Sequence, residues 1–364
     1  MVLGREVDQD MAEASRSTIE ELENIFCLLS GEHSTLPQAE VEAILESEGH
    51  PARIQSRLSR VLRLRSTISG AEAIARRAAY TRWCCREIFV CEAEENQVLK
   101  AVGTSQFHQF LNQNESFKVE AVKIEPKALL GAKRMEGKIG RAILDSVPNA
   151  RVNLERSVKT FLGVIVDKSF LLGLVIEGLG SRYASRRPHL RPFFHPSAML
   201  PKLARCMVNL SRAKPGSIFL DAFCGTGSQL IEAALMGCTV LGSDVDPRMV
   251  RGAAQNLCSV GIEGYHLLIA DAKDLPFRSF ASCASDPPYG RGSSTHGMDA
   301  RHIVEGFLGE VFDILALGSH VCLAFPRDGN IGDLGRGVGY EVLESHLVRE
   351  HKSLTREIVV LRRP

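Results

Sequence analysis

No apolar run in these 364 residues is long enough to cross a membrane. The longest, Phe161 to Ile176, is broken by Asp167-Lys168-Ser169 and reads as a hairpin. No opening stretch joins basic residues, an apolar core and a cleavage site, so no signal peptide is expected and a cytoplasmic location is. The ten cysteines show no CxxC spacing, and Cys84-Cys85 are adjacent, a poor arrangement for a bridge or a zinc clamp. Reduced core thiols are expected, with no disulfide framework and no metal. Internal repeats and low-complexity tracts are also missing.

What is present is enough for more than one core: 45% hydrophobic residues over a length that suits two or three domains. The net charge of +1 conceals a strong asymmetry. Residues 1–60 carry −7, 61–177 carry +5, 178–214 carry +8 with no acid at all, and 215–364 carry −5. A basic middle between acidic ends suggests a surface for a polyanion.

The first half alternates irregularly between strands and helices. Strands are expected at Ile25–Leu29, Val61–Leu64, Glu87–Glu92 and Phe117–Ile124, and as the hairpin Val158–Val166 with Phe170–Ile176. Helices are expected at Pro37–Ser47, Ala71–Ala79 and Lys127–Leu144, the last carrying Lys133 and Lys138 as candidate contacts for that polyanion. This half is α+β. The connector 178–196, GLGSRYASRRPHLRPFFHP, sets Arg182, Arg186, Arg187 and Arg191 among Tyr183, Phe193 and Phe194. Arginine beside aromatics suits nucleic acid, through phosphate pairing and base stacking. Ser197 is expected to cap a helix running to Leu210.

From Ser217 strand and helix alternate strictly. Strands Ile218–Leu220, Thr239–Leu241 and Tyr265–Ala270, a fourth at 280–284 and a fifth at His320–Phe325 are separated by helices at Ser228–Met236, Pro247–Cys258 and Ala300–Leu317. Tyr340–Val348 and Arg356–Leu361 close the sheet. The pattern predicts a doubly wound α/β sheet, mostly parallel, with its last strand pair antiparallel. Asp221, Asp244 and Asp271 stand at three successive strand ends, with Gly225-x-Gly227 after the first. Those glycines permit a tight turn, and the helix after them offers free amides. An acid inside that loop repels a pyrophosphate and attracts an ammonium or sulfonium. A ligand with an ammonium, a ribose and an adenine matches the three acids, and S-adenosylmethionine is that ligand. Either Asp244 or Asp246 can meet the ribose.

The fourth strand runs into Ser285-Asp286-Pro287-Pro288-Tyr289-Gly290. Ligands of open α/β sheets bind beyond the carboxyl ends of the strands. Two prolines stiffen the chain after Asp286, and Tyr289 offers a ring for a base to stack on. A planar amine held beside an acceptor fits this group. Guanine presents two adjacent donors that one carboxylate can accept together, whereas adenine presents a donor beside an acceptor.

The segments RPFFHPSAMLPKLARCMVNLS, DAFCGTGSQLIEAALMG, GSDVDPRMV and SDPPYGRGSST resemble the archaeal tRNA guanosine-10 N2-methyltransferases and their eukaryotic relatives. The resemblance implies a class I S-adenosylmethionine-dependent methyltransferase domain at 197–364, behind a basic linker at 178–196. It also implies an RNA-binding region made of an N-terminal α+β subdomain at 1–60 and a THUMP-like domain at 61–177. Asp221, Phe223, Gly225, Gly227, Asp244, Asp271 and Asp286 would hold the cofactor. Asp286, Pro287, Pro288 and Tyr289 would hold the target amine, tRNA would be the partner, and a monomer is expected. DPPY also occurs in some adenine methyltransferases, so another tRNA position or ribosomal RNA is the alternative target. A non-catalytic RNA-binding protein on the same fold would usually have lost an acid or a glycine, and none is lost here.

Overall fold

The computed structural model describes residues 20–125, 129–176, 178, 183–289, 300–351 and 354–364. The amino-terminal half is built on β1 (Glu23–Leu29), α1 (Leu36–Ser47), β2 (Arg53–Leu58), β3 (Val61–Ser66), α2 (Ile68–Arg77), β4 (Thr81–Glu92), α3 (Glu95–Thr104), β5 (Ser116–Lys123), α4 (Ala132–Ser146), β6 (Arg151–Val152), β7 (Lys159–Val166) and β8 (Ser169–Val175). One eight-stranded sheet runs β2-β3-β1-β4-β8-β7-β5-β6. β4 pairs with β1 along its first half and with β8 along its second. Alternation sends Ile25, Cys27, Leu62 and Leu64 under α1 and α2, while Phe161, Ile165, Phe170 and Leu172 lie under α3 and α4. Phe26, Leu28, Leu162, Val164 and Leu171 form a separate apolar cluster. The sheet bends far enough for the β2–β3 turn to meet the β7–β8 turn: Ser59 donates its N–H and its hydroxyl to Asp167, both at 2.6 Å. A boundary at residue 60 therefore falls inside the β2–β3 hairpin.

The second half comprises α5 (Pro201–Leu210), β9 (Ile218–Asp221), α6 (Ser228–Ala234), β10 (Thr239–Asp244), α7 (Pro247–Ser259), β11 (His266–Ile269), β12 (Phe280–Ser285), α8 (Ala300–Ile314), β13 (Leu315–Pro326), α9 (Ile331–Val338), β14 (Glu341–His351) and β15 (Leu354–Arg362). Its sheet runs β11-β10-β9-β12-β13-β15-β14, parallel except that β15 is antiparallel to both neighbours. This is the mostly parallel α/β sheet with a last antiparallel pair that the alternation predicts.

Several expectations shift. α5 begins at Pro201 with Leu200 in the capping place, and the Ser197 hydroxyl is engaged with His195 Nδ1 at 2.7 Å. Proline suits the first helical position because its missing N–H would lack a partner there anyway. The basic helix expected from Lys127 starts at Ala132, and Lys127 itself lies outside the described residues. Four elements were not foreseen: β2, an edge strand with three polar or charged residues after Ile54; α3, with only Val98 and Val102 buried; the two-residue edge strand β6; and α9. Gly332, Gly335 and Gly337 lower the helix propensity of α9, which forms because Ile331 and Leu334 are buried. Among the described residues no helix is long and apolar enough to cross a membrane.

The two halves join through a buried polar seam. Leu36, Ala43 and Tyr80 share a core with Leu203, Met207 and Leu210. Within it the fully buried Glu40 accepts from the N–H groups of Ala79 and Tyr80 and from Asn209 Nδ2. Arg77 forks onto Asn209 Oδ1 and donates to the Ala213 carbonyl at 2.6 Å and to Glu48 at 2.7 Å. Arg77→Met removes the donor to Asn209 Oδ1 and to the Ala213 carbonyl in a buried place, and should lower unfolding free energy by about 3 kcal/mol. Urea unfolding measures it; a loss below about 1 kcal/mol would assign the joint to its apolar contacts.

Candidate functional site

Because β11, β10, β9 and β12 lie side by side and parallel, their carboxyl ends line up. The acids that end or follow them stand in the spatial order Asp271, Asp244, Asp221, Asp286. Asp221 is almost wholly buried and accepts from the Ser285 hydroxyl at 2.7 Å and the Phe223 N–H at 3.3 Å. The same Ser285 oxygen accepts from the Ala222 N–H at 3.0 Å, tying β12 to the loop after β9. Burial pushes the Asp221 pKa up to about 7 against these hydrogen bonds, and the charges of Asp244 and Asp286 push the same way.

Asp244 and Asp246 differ sharply. Asp244 accepts the Gly225 N–H on one oxygen and the Asp246 N–H on the other, both at 2.9 Å, and burial raises its pKa. Asp246 instead caps α7 through the Arg248 N–H and pairs with the Arg248 guanidinium at 2.8 Å, which holds its pKa down at about 2. Asp244 is thus the acid built into the glycine loop. Gly227 turns that loop at φ +79°, and a Cβ there would stand 3.2 Å from the Cβ of Ala253 on α7. The ring of Phe223 packs edge-on against Phe307, so its contribution to the loop is its N–H. Asp271 is exposed and accepts the Lys273 N–H at 3.0 Å.

Asp286 accepts from Arg356 Nη1 at 3.1 Å. That guanidinium also lies over the Tyr289 ring, 5.3 Å from its centroid, and Tyr289 meets Phe325 edge-on. One face of the tyrosine is therefore already covered by a cation. Arg356, opposite Pro326 on β15, escaped the sequence reading. It lies 70 positions from its carboxylate, and only the antiparallel return of the sheet brings the two together. Pro287 is buried beside Asp286, Pro288 is partly exposed, and Gly290 lies outside the described residues.

The basic connector needs correction. Arg182 lies outside the described residues. Arg186 pairs with the fully buried Glu232 of α6 at 2.8 Å, and Arg205 pairs with the same carboxylate at 3.1 Å. Arg191 is buried and donates to the Arg186 carbonyl at 3.0 Å and to the Ser228 hydroxyl at 2.7 Å. Neither Arg186 nor Arg191 is a surface cation for phosphates; Arg187 is exposed. Phe193 lies so close on α7 that a Cβ at Gly252 would meet its ring at 2.0 Å. Asn256 clamps the Phe193 backbone at both its N–H and its carbonyl and donates to the Thr226 carbonyl in the glycine loop. The connector is a strap laid along the loop. On α4, Lys133 is exposed beside Glu136, while Lys138 is drawn onto Glu95 together with Arg134. Among the described residues no group of histidine, cysteine, aspartate or glutamate gathers to hold a metal.

Residues 188–356 match the family model described as UPF0020, RMKL-like, methyltransferase domain. The chain is 34% identical over 342 residues to the tRNA (guanine(10)-N2)-dimethyltransferase of Methanothermobacter thermautotrophicus, covering 93% of this chain and 99% of that one. It is 32% identical over 367 residues to the protein of the same name from Methanocaldococcus jannaschii, covering 92% and 99%. Among solved structures, TrmN from Thermus thermophilus superposes with a TM-score of 0.52 at 20% identity, covering 94% of this chain and all of that one. The structure of SMU.472 in complex with SAH superposes at 0.53 with 15% identity, covering 95% and 99%. Those two likenesses are likenesses of fold.

Two outcomes are expected if the loop takes S-adenosylmethionine. Asp244→Ala should weaken its binding by roughly 1.5–3 kcal/mol, the worth of hydrogen bonds to a charged acceptor. Asp246→Ala should lower the melting temperature through the lost cap and leave that affinity in place. Calorimetry on both variants decides, and a reversed pattern moves the ribose to Asp246. The second outcome concerns pH. In the ligand-free protein the raised pKa of Asp221 favours the fold at low pH, and that contribution fades as pH climbs from about 4 through about 7. An ammonium needs the ionised acid, so affinity should rise between about pH 5.5 and 7 with release of a proton. Titrations in buffers of different ionisation heat detect that proton, and Asp221→Asn should abolish it.

Proposed function

The chain belongs to the tRNA (guanine(10)-N2)-dimethyltransferase family, and on that premise we propose that it methylates the exocyclic N2 amine of a guanosine in tRNA, with S-adenosylmethionine as donor. The target is position 10, as in the relatives' names, and a second methyl follows the first. The observation that carries this reading is the Ser285 hydroxyl, bonded to Asp221 at 2.7 Å while the next residue is Asp286. One side chain thereby joins the acid suited to the cofactor's ammonium to the acid suited to the target amine.

S-adenosylmethionine, when bound, supplies a methyl group already activated on a sulfonium. The residues present fit it: a buried acid of raised pKa for the ammonium, and Asp244, built into the glycine loop, for the ribose. Asp271 follows the next strand, where the adenine would lie. Asp286 does the work on the acceptor side. The guanine amine is a poor nucleophile because its lone pair is delocalised into the ring. Asp286 accepts a hydrogen bond from the amine, which localises that pair and balances the positive charge growing on nitrogen. Arg356 holds one oxygen of Asp286 and fixes its plane. Pro287 and Pro288 keep the backbone from turning the carboxylate away.

Residues 61–177 serve as the THUMP-like RNA-binding domain and 1–60 as a small α+β subdomain, ahead of the connector 178–196 and the catalytic domain 197–364. The net +5 of 61–177 supports the RNA-binding role, and the sheet that continues through the β2–β3 hairpin packs both parts as one unit. Arg187 and Lys133 are the exposed cations of the set expected to meet phosphates.

Asp286→Asn and Asp286→Ala should keep S-adenosylmethionine affinity and lose roughly 10²-fold or more in single-turnover methyl transfer to tRNA transcripts. Nucleoside analysis of the product identifies the methylated base. Unchanged turnover in either variant would remove Asp286 from the reaction, and an N6-methyladenosine product would replace guanine as the target.

A further inference from the structure

Arg191 is 8% exposed, and its guanidinium is only partly used. Nε donates to the Arg186 carbonyl and Nη1 to the Ser228 hydroxyl, while Nη2 is buried and meets no hydrogen-bond partner among the described residues. The nearby carboxylate of Glu232 is already committed to Arg186 and Arg205. A buried N–H edge without an acceptor is costly, and for a cation more so. The position of that edge matters. Ser228 directly follows Gly227, and two residues along the strap Phe193 is clamped through Asn256 to the Thr226 carbonyl. Arg191 is therefore fastened to the same glycine loop that begins at Asp221.

The expected cofactor carries two opposite charges on one carbon, an ammonium and a carboxylate. A loop that offers only an acid serves the first and repels the second. We propose, resting on the cofactor reading above, that Arg191 takes the carboxylate of the cofactor's methionyl group. A planar guanidinium matches a carboxylate in shape as well as charge. Burial lowers the proton affinity of Arg191 from the usual arginine value, as befits a guanidinium short of anionic company.

The test separates the carboxylate from the rest of the ligand. Isothermal titration of the full-length chain would use S-adenosylhomocysteine and its decarboxylated counterpart, S-adenosyl-3-thiopropylamine. The native protein should prefer the former by roughly 10- to 100-fold. Arg191→Gln should erase that preference while binding the amine within about twofold of the native protein. Equal losses for both ligands, or an intact preference, would reduce Arg191 to a pin of the strap and overturn the proposal. If the glutamine variant does not fold, Arg191→Lys carries the test: losing the fork should cut the preference several-fold, and an undiminished preference overturns it. Failure of the native protein to bind either ligand would instead overturn the cofactor reading itself.

Discussion

A carboxylate with no exposure to water, Glu232 on α6, sets the course of the chain between the two halves. An ionised acid in that position must be paired, and it takes Arg186 from the connector and Arg205 from α5. With Arg186 fixed, its carbonyl is in place to accept from Arg191, and Arg191 reaches Ser228. Phe193 then settles on α7 and Asn256 ties it to Thr226. What charge counting presents as a basic linker is a strap whose arginines are spent on shaping the loop after β9. Losing the Glu232 carboxylate would remove the shared anchor of Arg186 and Arg205 and loosen the glycine loop with it.

The site itself follows from strand order. Placing β9 between β10 and β12 sets Asp221 between Asp244 and Asp286, three carboxylates in a row with little water. Burial raises the pKa of Asp221 and of Asp244, so these two resist ionisation until a cation arrives. Each acid is managed differently: Asp221 by Ser285, Asp244 by two backbone N–H groups, Asp286 by Arg356. These partners hold orientation as much as charge, which is what a transfer between two aligned ligands requires.

Much of this was legible beforehand, and unevenly so. The strict β–α alternation after Ser217 fixes the parallel sheet, and acids at successive strand ends survive any error of a residue or two in the strand bounds. Ser285 was visible in the motif, yet its role depends on β12 pairing with β9, which no local pattern reports. Arg356 is hidden for the same reason, at the far end of an antiparallel return. Arg186 and Arg191 were misread because arginine is usually a surface residue. The signal against that was faint: Ser228 and Glu232 stand one helical turn apart on α6, facing the strap. In the amino-terminal half, weak periodicity in α3 and polar residues in β2 hid two elements that tertiary packing secures.

The long strand β4 has a consequence for how this molecule is made. Its first half completes a sheet with β1 and β3, and its second half waits for β8, whose last residue, Val175, is partnered by Cys85. No seam divides the early strands from the late ones, so the amino-terminal half is one cooperative unit with contacts spanning most of its length. On the ribosome, half of β4 stays an unpaired edge until the chain through Val175 has emerged, exposing Phe89 and Val90 in the meantime. That edge is closed only when β8 pairs with it, so completion of the sheet depends on the last strand of this half.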